Sequence, residues 1–273
     1  MIKCSVNFVT KNRADLLRNA LKSVLRQNGT DFELVIVNDA SNDYTKNVVE
    51  EFKSKFNSLT YISNEHSKGV SYARQQALEN SKGEYIAILD DDDIWIDPNK
   101  LKAQAEFLDA NKEVGIVGTC VEIYKLGSGE ITLWEPPKAD SDLRSAMLYK
   151  TPFLNTATMF RRELALQVGG FSKELKFAED YTLWLEMGLR SKFANLNIFG
   201  TRVSQHDSGL THSNSSKMIW NVIEAAVKYR KKYPNWLKAL FKLIPQYIIV
   251  SIFGIYTWKK IKSIIYDSNS SKN

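Results

Sequence analysis

The 273-residue sequence has few of the groups that build small secreted or metal-clustered folds: two cysteines, three histidines and six prolines. Cys4 and Cys120 both lie in apolar runs that read as strands, so they exclude a disulfide framework or thiolate cluster and are expected to be reduced core residues. The opening segment, MIKCSVNFVTKNR, lacks both an apolar h-region of about 7–15 residues and a small-residue cleavage site, which predicts a cytoplasmic chain. No period of 20–50 residues repeats, which excludes solenoids and propellers. With 44% hydrophobic and 25% charged residues, the composition points away from disordered, collagen-like and polytopic membrane classes.

The net charge of +6 is unevenly placed. Residues 228–273 hold ten Lys/Arg against the single Asp267, which leaves 27 basic and 30 acidic residues in 1–227. An acidic body with a basic tail predicts a polyanionic surface near the C-terminus. Nucleic acid is excluded as a partner of the body, since that would need basic and aromatic groups there.

Apolar runs at Val6–Val9, Phe32–Val37, Leu59–Ile62 and Tyr85–Leu89 read as strands. Between them, helical spacing runs over Leu16–Leu25, Val48–Phe56 and Ser71–Asn80. Strands alternating with helices at this interval predict right-handed crossovers and a parallel sheet covered on both faces. Later the rhythm changes. A helix over 98–111, a long run from Val114 to Tyr124, a turn at Gly127–Gly129 and the run Ile131–Trp134 predict a mixed sheet.

Ligands of open parallel sheets sit beyond the carboxyl ends of the strands. Three of the first four strands end in polar groups: Thr10 to Arg13, Asn38 and Asp39, and Asp90-Asp91-Asp92-Asp93. Four adjacent carboxylates repel one another unless a cation neutralises them, and oxygen-only ligands suit Mg2+ or Mn2+. The plainer reading is a solvated loop with Asp93 or Asp97 capping the next helix. The run is not an EF-hand loop, having neither its Gly nor its distal Glu. A D-x-D nucleophile of the aspartyl phosphatase kind would belong after the first strand, not the fourth. Further on, Glu179-Asp180 precede Tyr181, Leu183, Trp184, Leu185 and Met187. Asp180 reads either as a helix cap or as a general base at a pocket.

Taken in order, these segments resemble the family 2 glycosyltransferases, which have the GT-A fold. The resemblance spans residues 3–211 and rests on Val6 to Arg13, Val35 to Ser41, Gly69 to Arg74, Tyr85 to Trp95 with Pro98 and Leu101, Val168-Gly169-Gly170-Phe171, Glu179 to Trp184, and His206. It implies a single GT-A-like, Rossmann-related α/β domain over 1–215, its mixed, mostly parallel sheet flanked by helices, with a helical, basic-amphipathic tail over 216–273. Where the family has Pro-Thr-Tyr-Asn after strand one, this chain has Val9-Thr10-Lys11-Asn12, which removes the stacking tyrosine. The Gln-x-x-Arg-Trp mark of processive synthases is missing, so transfer of single sugars is expected.

By that resemblance Asp39 bonds the nucleotide base, and Thr10, Asn12, Arg13, Arg74, Asp90 and Asp91 line the nucleotide. Asp92 and His206 hold Mn2+ or Mg2+, Asp180 is the catalytic base, and Glu179 orients it. Expected partners are a UDP-linked sugar and a glycan or lipid-linked glycan acceptor. Plainer readings make Arg74 a surface helix cation and His206 a polar loop residue. A nucleotidyltransferase would want glycine after strand one, and Val9 to Asp15 has none. A binding module without turnover would not need the Asp run, Glu179-Asp180 and His206 together.

Met218, Ile219, Val222, Ile223, Ala226 and Val227 fit one helix face. Beyond them Leu243–Trp258 carries no charge but falls short of the roughly 20 residues of a spanning helix. With Lys238 and Lys242 before it and Lys259, Lys260 and Lys262 after it, the tail is expected to anchor the protein peripherally on the anionic inner face of the cell membrane. The alternative is a helical hairpin packed on the protein itself.

Overall fold

The computed structural model describes residues 2–172, 178–205 and 215–270, with backbone alone at 259 and 262–270. The first half follows the predicted alternation: β1 (Cys4–Thr10), α1 (Ala14–Val24), β2 (Phe32–Asn38), α2 (Thr45–Lys53), β3 (Leu59–Ser63), α3 (Val70–Asn80) and β4 (Tyr85–Ile88). Then come β5 (Ile94–Trp95), α4 (Lys100–Ala110), β6 (Val114–Lys125), β7 (Ile131–Trp134), α5 (Asp140–Ala146), a 3-10 turn at Asn155–Ala157, β8 (Met159–Arg161), α6 (Arg162–Gln167), α7 (Glu179–Gly188) and β9 (Lys192–Gln205).

The sheet order is β3-β2-β1-β4-β8-β6-β9-β5, with β7 paired to β6. The strands β3, β2, β1 and β4 are parallel, whereas β8 runs antiparallel between β4 and β6. Beyond β8, β6 and β9 pair in parallel through three register shifts, and β5 closes antiparallel on β9. The sheet is therefore mixed, as the change of rhythm after β4 predicts.

Cys4, Val6 and Phe8 of β1 and Leu34 and Ile36 of β2 pack with Leu17, Leu21 and Val24 of α1 and with Val48, Val49 and Phe52 of α2. Val35 and Val37 face the other way, against Ala73 and Ala77 of α3. Central parallel strands buried on both faces must be apolar at consecutive positions, which is why they read as unbroken runs. Both cysteines are buried free thiols, as expected.

A second compact unit joins Ser145–Thr151 to the C-terminal helices α8 (Ser215–Lys228) and α9 (Trp236–Ser270). Helix α9 begins at Trp236, ahead of the charge-free run, and Gly254 breaks it with φ 80° and ψ 167°. The stretch Trp236–Trp258 is consequently 23 residues with mean hydropathy 1.6, long and apolar enough to cross a membrane by length and composition. The charge-free run alone understates it, because Lys238 and Lys242 continue the helix rather than ending it.

Candidate active site

Parallel pairing of β2, β1 and β4 brings Asn38, Thr10 and the run after Ile88 to one edge of the sheet. Asp39, just past β2, is 3% exposed. Its carboxylate accepts four hydrogen bonds, from Asn64 Nδ2 (3.1 Å), Ser67 Oγ (2.6 Å), Lys68 N (2.8 Å) and Gly69 N (3.0 Å). Burial alone would raise its pKa, but these donors outweigh it and hold the group below the ordinary range. Gly69 caps α3 with φ +90°, a conformation costly for any residue with a Cβ. Asn12 ties the loop after β1 to the loop after β2: its Oδ1 accepts from Asn42 N at 2.7 Å, and its own N–H donates to Ser41 Oγ at 2.9 Å.

The four aspartates divide into two kinds. Asp91 and Asp93 are buried at 4% exposure, whereas Asp90 and Asp92 keep 35% and 21% of their side chains exposed. Asp93 accepts from Ser204 N of β9 at 2.8 Å, locking the run to the far half of the sheet. Burial, reinforced by Asp90 and Asp92, pushes its pKa well up. Asp91 is pushed up to about 6 by burial, with Arg13 and the Thr10 hydroxyl pulling the other way. Arg13 Nη1 bridges Asp91 Oδ1 (2.9 Å) and Asp92 Oδ2 (3.0 Å). The solvated-loop reading therefore fails for two of the four, and the cap of α4 is Asn99 rather than Asp93 or Asp97.

Arg74, on α3, is not a surface cation. Its side chain is 12% exposed and its two terminal nitrogens divide between Asp90 Oδ1 (2.9 Å) and Glu179 Oε1 (2.8 Å). Gln75, the next residue, accepts from Phe171 N at 2.7 Å. Gly170 must be glycine at this contact, since it has φ +68° and a Cβ there would lie 2.1 Å from Gln75 Oε1. One helix thus holds both the Gly169-Gly170-Phe171 turn and the head of α7. Trp184 fixes the body of α7 to the sheet, edge-to-face with Phe160 of β8 at 5.2 Å.

The helix cap is Ala178, with φ 60°, so Asp180 lies in the first turn and does not cap it. Half-buried Asp180 accepts from Tyr181 N at 2.7 Å. Burial nevertheless raises its pKa, against the opposing pull of Arg74. Burial also raises Glu179, with Arg74 opposing and Asp180 adding repulsion. Three carboxylates, Asp90, Glu179 and Asp180, therefore share one guanidinium, and proton uptake by the α7 pair relieves the excess charge.

Among the described residues no three carboxylate, imidazole or thiolate side chains converge as a metal cage. His206 lies outside the described residues. The accessible oxygens of Asp90 and Asp92 do fit a hard divalent cation, which binds through one or two carboxylates and takes further ligands from water and substrate phosphates.

The profile of the family described as Glycosyl transferase family 2 matches residues 5–169. The chain belongs to this family. It is 28% identical over 252 residues to the Escherichia coli UDP-Glc:alpha-D-GlcNAc-diphosphoundecaprenol beta-1,3-glucosyltransferase WfgD, covering 91% of this chain and 93% of that one. Among solved structures it is similar to S. aureus TarS 1–349 in complex with UDP-GlcNAc, with TM-score 0.65, 20% identity, and 92% and 73% of the two chains covered. The mannosyltransferase PcManGT from Pyrobaculum calidifontis, in complex with GDP-Man and Mn2+, gives TM-score 0.65 at 20% identity over 98% and 75%. The fold is GT-A, and this family 2 chain is a glycosyltransferase.

Sequence reasoning missed several groups that shape the site. Gln75, Ser204, Asn64, Ser67 and Lys68 support it from α3, β9 and the loop after β3. Asn155, in the 3-10 turn, donates to Asp90 Oδ1 at 3.3 Å. No motif marks these residues, because sheet order and loop closure bring them in from distant positions. Only Gln75, adjacent to Arg74 in the Gly69–Arg74 segment, lay next to a usable signal.

Proposed function

We propose that the chain transfers one sugar from a UDP-sugar to a hydroxyl of a glycan or lipid-linked glycan acceptor, with inversion, in surface polysaccharide synthesis. The observation that carries this reading is Arg74, whose guanidinium joins Asp90 on the nucleotide side to Glu179 beside Asp180 on the other. A donor and an acceptor flanking this junction would meet across it.

Asp180, ionised, takes the proton of the acceptor hydroxyl as that oxygen attacks the anomeric carbon and the bond to the diphosphate oxygen breaks. Its half-buried carboxylate keeps some exposure, whereas Glu179, 5% exposed and bound to Arg74, acts by position. Thr10, Asn12, Arg13, Asp39, Arg74, Asp90 and Asp91 form the nucleotide side. Asp92 and His206 would hold a divalent cation, which would supply positive charge to offset the negative charge developing on the diphosphate. The diphosphoundecaprenol in WfgD's name and the basic tail support an acceptor met at the inner face of the cell membrane.

A panel of nucleotide sugars, assayed for metal-dependent release of nucleoside diphosphate and for the anomeric configuration of the product, tests this reading. Release from one UDP-sugar with inversion is expected; retention would reject direct displacement. Asp92→Asn, which keeps size and removes charge, is expected to abolish Mn2+- or Mg2+-dependent binding of UDP in calorimetry without unfolding the chain. Unchanged binding would remove Asp92 from the metal site.

A further inference from the structure

Helix α9 is apolar on two opposite faces. Ala239, Leu243 and Val250 are buried, and Tyr247 on that flank meets Trp220 of α8 with ring centroids 5.2 Å apart. At 100° per residue the other side of the helix carries Leu237, Phe241, Ile244, Ile248 and Ile252. These are 52, 80, 43, 49 and 66% exposed. A helix buried in a soluble core would cover such a stripe, yet only 17% of the most apolar part of α9 is buried.

We propose that this stripe is a membrane-docking face, inserted sideways into the headgroup–acyl boundary of an anionic bilayer while the opposite face stays packed on α8. The inference deepens the inner-membrane reading above by naming the surface that docks. Charge complementarity selects the occupant, because residues 228–273 carry ten Lys/Arg against one Asp. Basic groups near an anionic surface contribute about 1 kcal/mol each and favour lipid over a second copy with the same positive tail.

Lying in the interface rather than crossing it follows from the lysines. Lys238 and Lys242 sit within α9 beside the stripe, with their ammonium groups 4.5 and 5.6 Å from the Tyr149 ring centre, and Lys242 also donates to Tyr149 O at 2.9 Å. Threading α9 through a bilayer would strip the Tyr149 segment from both lysines and carry their charges into hydrocarbon. An interfacial helix keeps them at headgroup level.

The test uses the full chain with vesicles of phosphatidylcholine, alone or doped with phosphatidylglycerol. The wild type is expected to co-sediment with the doped vesicles and to release at high salt. Phe241→Asp and Ile248→Asp change exposed positions, so each should keep the melting temperature and slow donor hydrolysis while weakening vesicle binding about tenfold or more. Ile248→Trp, which should fold whatever the fate of the charged variants, is expected to be quenched by brominated acyl chains. Absence of quenching, or a dimer in sedimentation velocity that Phe241→Asp dissolves while vesicles are ignored, would overturn the proposal. Resistance to carbonate extraction would replace it by a spanning helix. Donor hydrolysis is read separately, so failed docking leaves the transferase reading standing, and failed hydrolysis leaves the docking result interpretable.

Discussion

Two aspartates, Asp39 after β2 and Asp180 in the first turn of α7, have been given opposite properties by their surroundings. Asp39, just past β2, receives four donors and is held as an anion below the usual carboxylate range. Asp180 sits in the first turn of α7, where the dipole favours an anion. Its pKa is raised all the same, because burial, with Asp90 adding repulsion, exceeds what Arg74 and the Tyr181 N–H restore. Position near a helix end is thus a weaker determinant than the number of donors aimed at the oxygens. A carboxylate saturated with hydrogen bonds is a brace; one with fewer donors and a raised pKa holds its proton more readily.

The sharpest way to break this contrast is to neutralise each acid. Asp180→Asn is expected to lower turnover by about 10^2-fold or more while leaving UDP affinity intact, as loss of a general base does. Retained turnover, measured with saturating donor, would reduce Asp180 to a helix residue. Arg74→Gln removes the shared cation. With the pair more repulsive, the acid limb of the kcat profile, which rises as Asp180 loses its proton, should move to higher pH, so the loss is greatest in acid and recovers in alkali. A uniform loss at every pH would mean that Arg74 serves the nucleotide alone.

Asp39→Ala leaves four donors without their acceptor and should destabilise the fold by about 1–3 kcal/mol at neutral pH. Because the folded pKa of Asp39 is depressed, its stabilisation is present above the unfolded value of about 3.9 and lost as pH falls through the lower folded value. Denaturation curves of wild type and variant should accordingly converge in acid.

A stability effect of opposite pH sense is expected at Lys100, fully buried with its ammonium over Trp95 and donating to Gln104 Oε1 at 2.8 Å. Burial pushes its pKa down to about 7. The unfolded chain then binds more protons than the folded one between about pH 7 and 10, so stability rises with pH across that window. Lys100→Met should flatten that slope in chemical denaturation; a slope left unchanged would show that the ammonium is solvated.

The strand-end logic was readable because parallel strands buried on both faces leave long apolar runs, and polar residues after Val9, Val37 and Leu89 stand out against them. The alternation within Asp90 to Asp93 was not readable. Four identical side chains carry no mark of which are buried, and that depends on β9, more than a hundred residues away, supplying Ser204 N. Beyond the nucleotide-side place that the resemblance implied for Arg74, its ion pairs gave no sign in the sequence, because Asp90 and Glu179 belong to segments far apart in the chain. The tail was misjudged in length for a related reason: a run counted between charges ends at Lys242, whereas a helix continues through any lysine whose chain can lie along its neighbour.

What the linear pattern determined about this chain is the class of fold, the edge of the sheet where the strand-end polar groups gather, and the residue types there. Periodicity and strand-end polarity are local, and they survive translation into three dimensions unchanged. Which carboxylate is held as an anion, which has its pKa raised and which face of α9 is left bare were decided by tertiary structure alone. Charge state and exposure depend on the donors, cations and apolar atoms within a few ångströms, and those come from places in the chain that only folding makes neighbours.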